Sequence, residues 1–352
     1  MQNKDEALGT QPIGKLMLSL ALPAVAAQFI NMLYNIVDRI YIGNIPGTGA
    51  LALTGVGVTF PIILLVSAFA AFAGMGGAPL ASIQLGSGNR EGAEKILGNC
   101  FSMLLVLSVT LTVIFSIFKT PLLYMFGASD AIIGYAEDYI SIYLAGTIFV
   151  QLALGLNTFI SAQGHATVAM LSVLIGAVIN IVLDPVFIFV FGMGVSGAAL
   201  ATILSQAVSA AWVLRFLFSA KSGIRIRRGN MKFEKRVVGK VIGLGIAPFI
   251  MQSTESLVNI TLNAGLQRYG GDLYVGSMTI MQSVMQMLVI SVAIDDDERG
   301  GAVFRHDDGL ARLASKILDI VQASAQIADR PDLGQSGLHD HTCLLAKFVL
   351  YL

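Results

Sequence analysis

Long apolar runs separated by short polar or glycine-rich breaks dominate the chain up to about residue 290. A bilayer-spanning helix needs about 20 apolar residues, in a range of roughly 17–25. Eight runs qualify, at roughly 15–42, 52–80, 95–118, 136–161, 166–191, 195–218, 238–265 and 273–293. The breaks carry turn chemistry, as in Gly43-Asn44-Ile45-Pro46-Gly47, Gly86-Ser87-Gly88-Asn89 and Gly192-Met193-Gly194. A backbone in lipid has to satisfy its own hydrogen bonds, so runs of this length predict helices. The expected fold class is an all-α polytopic membrane protein.

Composition agrees. The 352 residues are 55% hydrophobic and 12% charged, with mean hydropathy +0.75, whereas soluble domains carry about 25% charged residues. Cys100 and Cys343 are isolated thiols without ligand spacing, so neither a disulfide framework nor a metal site is expected. The polar stretch Met1 to Leu16 lacks a cleavable signal pattern, and insertion is expected to start from the first span. No phosphate-cradling GxxxxGK[ST] loop is present, and Gly86-x-Gly88 follows no strand. His165 falls in a short turn, where a solvated imidazole is the default. No nucleophile–base or His–metal spacing points to an enzyme, and no cofactor is expected.

Charge sets the orientation. Thirteen Lys and Arg residues, from Lys4 through the cluster Lys221 to Lys240, fall on one side of the expected spans, and only Arg39, Lys119 and Arg268 on the other. By the positive-inside rule the N-terminus and the loop after span six are cytoplasmic. The loop's basic charge is explained by topology and anionic lipid, and no nucleic-acid partner is expected. It divides the chain into a six-helix block, 1–218, a basic inter-lobe loop, 219–237, and two helices of a second lobe, 238–293. A faint repeat supports the division: a shift of 225 residues places Gly14-Lys15 on Gly239-Lys240, Pro23 on Pro248 and Asp38 on Asn263. Beyond 293 the pattern changes to Asp295-Asp296-Asp297-Glu298-Arg299 and no further span is found. Residues 294–352 read as a non-membrane tail. A frameshifted or non-native end is preferred over a native soluble tail, because the change comes directly after an apolar run.

Three carboxylates interrupt the apolar runs, and an ionisable group in a span is costly unless it lines a substrate or ion pathway. Asp38 ends a stripe of Asn31, Tyr34, Asn35 and Asp38, spaced to share one helical face. The Asn residues alone would equally serve as interhelical glue, but Asp38 calls for a cation, a proton or an Arg. Arg39 points about 100° away round the helix and is expected to snorkel toward the outer interface. Asn180 and Asp184 lie one turn apart and precede Pro185, which frees an upstream carbonyl. Together these oxygens suit a small cation, while a proton would need only the carboxylate. In span seven, Gln252, Glu255, Asn259 and Asn263 form a further stripe, with a titrating role for Glu255 and simple packing equally open. Gln151, Asn157 and Ser161 in span four and Thr202, Ser205 and Gln206 in span six are weak signals. Met278, Met281, Met285 and Met287 suit either adaptable apolar contacts or ordinary packing.

In combination, several segments resemble the multidrug and toxic compound extrusion (MATE) family of cation-coupled exporters. They are Asn35-Ile36-Val37-Asp38-Arg39 with Tyr41-Ile42-Gly43, Leu85-Gly86-Ser87-Gly88-Asn89-Arg90-Glu91-Gly92-Ala93, Gln163-Gly164, Asn180-Ile181-Val182-Leu183-Asp184-Pro185, and Gly192-x-Gly194-Val195-x-Gly197-Ala198-Ala199. The resemblance covers about residues 10–290. It implies two six-helix lobes around a central cavity and antiport of drugs or organic cations against Na⁺ or H⁺. It places a cation site, with Na⁺ as a candidate metal, at Asp38, Asn180, Asp184 and Thr202. Tyr139 and Asn157 lie nearby in that pattern, and Asn31, Tyr34, Asn35, Gln252, Glu255 and Asn259 are cavity or substrate candidates. Family members have about twelve spans, so this chain reads as truncated in its C-lobe, with transport impaired. The expected setting is the cell membrane, with lipids and small cationic or amphipathic substrates as partners and no obligate protein partner. A cation-binding fragment that transports nothing is the alternative from another class. A lipid-linked saccharide flippase of the same superfamily is disfavoured, because diphosphate head groups call for Arg or Lys where these spans offer acids and amides.

Overall fold

The computed structural model describes the backbone of residues 13–298, with side-chain surroundings for 21–283 apart from 228. Its helices are α1 (Ile13–Gly43), α2 (Gly49–Gly86), α3 (Arg90–Met125), α4 (Ile133–Ala145), α5 (Thr147–Ala162), α6 (Ala166–Pro185), α7 (Val195–Phe218) and α8 (Lys235–Glu298). No strand occurs among the described residues. Among the described residues, five helices are long and apolar enough to cross a membrane by themselves, and α4 with α5 supplies a sixth such span if the bent pair counts as one. Alternating helices of this length make the chain a multi-pass membrane protein.

The expected fourth span is bent. α4 and α5 meet at 60°, on Gly146, where a Cβ would overlap the Ile203 side chain. The missing side chain admits α7 into the corner, and Thr112 Oγ1 donates to the Leu144 carbonyl at the bend at 2.9 Å. The Pro185 effect is visible too. α6 passes into a π turn, Val186–Val190, directly after the proline, as expected where a proline removes a backbone donor. The seventh and eighth expected spans are one long element broken at Gly271, whose φ of 68° and ψ of −166° only glycine adopts without strain. We call its halves α8a (235–270) and α8b (272–298). The backbone helix continues to Glu298, five residues past the expected end of span eight; the rest of the expected tail lies outside the described residues.

α2 is the central wall. It packs against α3, α4, α5 and most extensively α8. The contact with α8 is close because both helices present small residues. A Cβ on Gly76 would run into the Val241 carbonyl oxygen, and one on Gly57 would overlap Thr279. Such close crossings are how helices associate in lipid, where burial of apolar surface gives little drive. Ser256 Oγ donates to the Pro61 carbonyl at 2.9 Å in the same interface, and Phe249 packs on Phe69 and Phe72. Val106, Val109, Val113, Ile117 and Phe118 on α3 are exposed, as a lipid-facing surface requires.

The basic loop is not slack. Gln163, at the end of α5, accepts hydrogen bonds from Ser222 Oγ at 2.9 Å and the Ile224 N–H at 3.1 Å. Glu94, buried at the start of α3, pairs with Arg227 at 2.8 Å and Arg90 at 3.4 Å. Ser102 Oγ donates to the Met231 carbonyl at 2.7 Å, and the Glu234 N–H to Asn99 Oδ1 at 2.8 Å. Ile224 and Ile226 are buried in the core of the six-helix block. Asn89 caps α3 by accepting from the Gly92 N–H at 3.0 Å, which gives the Gly86–Ala93 motif a structural reason.

Candidate functional site

α1 packs along α6, and Tyr41 meets Phe189 edge-on at 6.3 Å just beyond the two acids. That pairing brings Asp38 and Asp184, 146 positions apart in sequence, into one buried cluster. Their carboxyl groups are neighbours, close enough to share a proton or a cation. Asp184 is fully buried and Asp38 is 8% exposed. Asn180 Nδ2 donates to Asp184 Oδ1 at 3.2 Å and, more weakly, to Thr202 Oγ1 at 3.4 Å, which ties in α7. The four residues of the expected cation set are therefore brought together.

The hydrogen bonding within the cluster is incomplete. Asp38 Oδ1, Asp184 Oδ2 and Asn180 Oδ1 are buried and have no hydrogen-bond partner among the described residues. Burying such oxygens unpaired costs on the order of 1–3 kcal/mol each. A monovalent cation or a proton bound among them would remove much of that cost. No group of three or more His, Cys, Asp or Glu side chains placed to hold a metal exists among the described residues, so the donor set is two carboxylates with amide and hydroxyl oxygens. This is hard-oxygen chemistry and suits Na⁺ or H⁺ better than a transition metal.

Tyrosines flank the acids. Tyr34 neighbours Asn35 and Gln206. Tyr139 lies beside Thr202 and Asp38 and stacks on Tyr143 at 6.3 Å between centroids. Gln206, a weak signal in the sequence, belongs to these surroundings, and so does Tyr143, which the sequence does not single out. The available signal for Tyr143 is its spacing, one turn from Tyr139. Asn31 is half-buried on α1, and its carbonyl accepts from Asn35 Nδ2 at 2.6 Å.

Other candidates lie elsewhere. Asn157 donates to the Ala169 carbonyl at 3.3 Å and accepts from Ser172 Oγ at 3.1 Å. Ser172 is about 18 Å along α6 from Asp184, so Asn157 serves a different helix crossing. Asn259 is buried, with its amide donating to the Glu255 carbonyl at 2.9 Å and accepting from Gln282. The Glu255 side chain, one turn from Asn259, is exposed at the edge of that stripe of α8a, between Met251 and Val258, and Gln252 is half-buried. The side chains of Met285 and Met287 lie outside the described residues.

Arg39 departs from expectation. Instead of snorkelling outward it is half-buried. Its Nη1 donates to the Thr279 carbonyl at 2.8 Å and to Ser283 Oγ on α8b. The guanidinium also lies over the Phe60 ring of α2 at 5.5 Å. Acceptors within reach on α8b outweigh solvation at the helix end.

The MatE family model matches residues 23–186, which hold Asp38, Asn180 and Asp184. In fold, the chain matches the MATE multidrug transporter DinF-BH, a structure solved as a complex. The identity is 37% and the TM-score 0.75, over 80% of this chain and 63% of that one. This chain belongs to the MATE family. A second solved chain, described as protein A, matches this MATE chain at 32% identity and TM-score 0.77, over 95% of it and 79% of its counterpart. Multidrug export protein MepA of Staphylococcus haemolyticus is 27% identical over 270 residues, covering 76% of this MATE chain and 59% of MepA. The chain thus spans about three-fifths of the length of the curated relatives it matches. An FAD transporter of Shewanella oneidensis is 28% identical over 202 residues, 56% of this chain and 44% of its own.

Proposed function

We propose that this MATE chain exports small organic cations or amphipathic drugs across the cell membrane in exchange for Na⁺ or H⁺. The observation that carries the reading is the Asp38–Asp184 cluster, with its three unpartnered buried oxygens. The cation enters from the outside and is held between the two carboxylates, with Asn180 and Thr202 as neutral ligands. Its binding changes the packing of α1 against α6 at the π turn and disfavours drug binding. The drug leaves outward and the cation is released inward. Coupling requires that the ion bind the two arrangements with different affinity. The basic segment 219–234 faces the cytoplasm, as does the N-terminus, by the excess of Lys and Arg on that side.

The test is dye efflux from proteoliposomes holding the 352-residue chain. Ethidium, a planar organic cation, serves as the probe, with an imposed Na⁺ or H⁺ gradient as the driving force. Gradient-driven efflux is expected from the wild type, falling at least tenfold in Asp38→Asn and in Asp184→Asn. Efflux retained in both variants overturns the assignment. Ion binding without any dye flux in the wild type overturns the exporter reading in favour of a cation-binding fragment.

A further inference from the structure

We propose that Arg39 is a tethered counter-cation for the Asp38 carboxylate, displacing the transported cation when the outer ends of α1 and α8b are clasped. The proposal rests on the exporter reading above. By outer we mean the end opposite the basic segment 219–234.

A half-buried guanidinium normally finds a carboxylate, because an unpaired charge in a low-dielectric setting is costly. Among the described residues, Arg39 has hydrogen bonds only to neutral groups, the Thr279 carbonyl and Ser283 hydroxyl, with the Phe60 ring beneath it. The charged or titratable groups acting on it are Asp38, adjacent on α1, and Tyr139 on α4. Asp38, the next residue on α1, is the carboxylate placed to offset its charge, and no direct ion pair joins the two among the described residues. The groups acting on Asp38 are Arg39 and Asp184, with Tyr34 and Tyr139 beside it. One carboxylate thus has two claimants, about 100° apart round the helix: a mobile cation in the Asp184–Asn180 cluster and the fixed guanidinium.

Geometry makes the competition depend on conformation. Arg39 sits in its pocket only while α8b lies against α1 and α2, because both acceptors belong to α8b. The same contact is seated by Gly57 on Thr279 and by Gly276 on Thr54. With the clasp closed, the guanidinium is held half-buried next to Asp38 on α1 and lowers the affinity of the cluster for a second cation. With the clasp open, Arg39 swings to water and the cluster regains affinity. The ion then binds tightly when the outer side is open and is expelled when it closes. That is the difference in affinity an inward-driven ion needs. Linkage is reciprocal, so a bound ion must also weaken the clasp.

The experiment uses the full chain in nanodiscs, with Cys100 and Cys343 replaced by Ser. Spin labels are placed at Asn44→Cys, just past α1, and Tyr269→Cys, beside the break in α8. Both positions are exposed. Label separation is followed while Na⁺ is titrated at about pH 8 in choline buffer, and separately while pH is lowered without Na⁺. Ion loading is expected to move the population from the shorter to the longer separation. In Arg39→Gln the longer separation should dominate without ion, and the titration midpoint should tighten by about tenfold, within the usual range of coupling between sites. Arg39→Lys retains the charge and should keep a midpoint near wild type, with a weaker clasp. Ser283→Ala, which leaves Arg39 intact, should shift both readouts in the Arg39→Gln direction by less, and guards against a misfolded Arg39→Gln.

An Arg39→Gln midpoint equal to wild type, with the response abolished in Asp38→Asn, overturns the tethered-cation role and leaves the exporter reading standing. So does a Ser283→Ala protein unchanged in both readouts. Absence of any response to Na⁺ or to pH in the wild type removes the ion-coupled reading itself, and this proposal with it.

Discussion

Replacing Gln163 by Leu should release the basic loop from the six-helix block. The side chain is 6% exposed. Its Oε1 accepts from Ser222 Oγ at 2.9 Å and the Ile224 N–H at 3.1 Å, while its Nε2 donates to the Phe159 carbonyl at 2.9 Å. Leu matches the volume but offers no acceptor. Ser222 keeps a second acceptor, the Ile224 carbonyl, so its hydroxyl stays satisfied. The Ile224 N–H does not, and the residue is 1% exposed. Stranding a buried donor costs about 1–3 kcal/mol. If local opening of the loop becomes easier by that amount, amide exchange there accelerates roughly 5- to 150-fold, at about 1.4 kcal/mol per tenfold. The assay is hydrogen–deuterium exchange of peptides covering 219–230 in detergent or nanodiscs. Ser222→Ala is the control: it leaves the Ile224 bond intact and should change exchange much less. Unchanged exchange in Gln163→Leu, or an equal effect from Ser222→Ala, would refute the assignment of the clamp to Gln163.

The remaining predictions concern stability. Gly76→Ala forces a methyl against the Val241 carbonyl and should cost about 1–3 kcal/mol of overpacking, read as a lower thermal midpoint, while Gly86→Ala meets open space and should leave the midpoint unchanged. Glu94→Gln removes a buried charge from two half-exposed arginines, so the loss should be about 1–2 kcal/mol after solvent screening, with faster trypsin cleavage at Arg225 and Arg227. Asn89→Ala deletes the α3 cap and should destabilise by about 1 kcal/mol, detectable as increased exchange confined to residues 90–94.

Apolar run length was enough to place the helices, because lipid leaves the backbone few options. It was blind to the corner at Gly146: Leu144-Ala145-Gly146-Thr147-Ile148 reads as continuous apolar chain, and the bend depends on Ile203 arriving from α7. Asp38, Asn180 and Asp184 were legible because lone acids in a span are rare and one-turn spacing fixes a face; Thr202, a weak signal by itself, joined them only through the MATE resemblance. Periodicity places residues on a stripe, but does not say what the stripe faces. Hence Glu255 shares a sequence stripe with Asn259, yet its side chain is exposed while that of Asn259 is buried. Arg39 was misread for the same reason. Its acceptors sit 240 and 244 positions away, and only the packing of α8b against α2 reveals them.

The anchoring of the basic segment has a practical consequence. A stretch of arginines and lysines held to one helical block by buried side chains is a fixed landmark on the surface. An antibody fragment raised against 225–234 should dock in one orientation relative to α3 and α5. Such a fragment would serve as a fiducial for imaging this small membrane protein, and would report the pose of the six-helix block without touching α8.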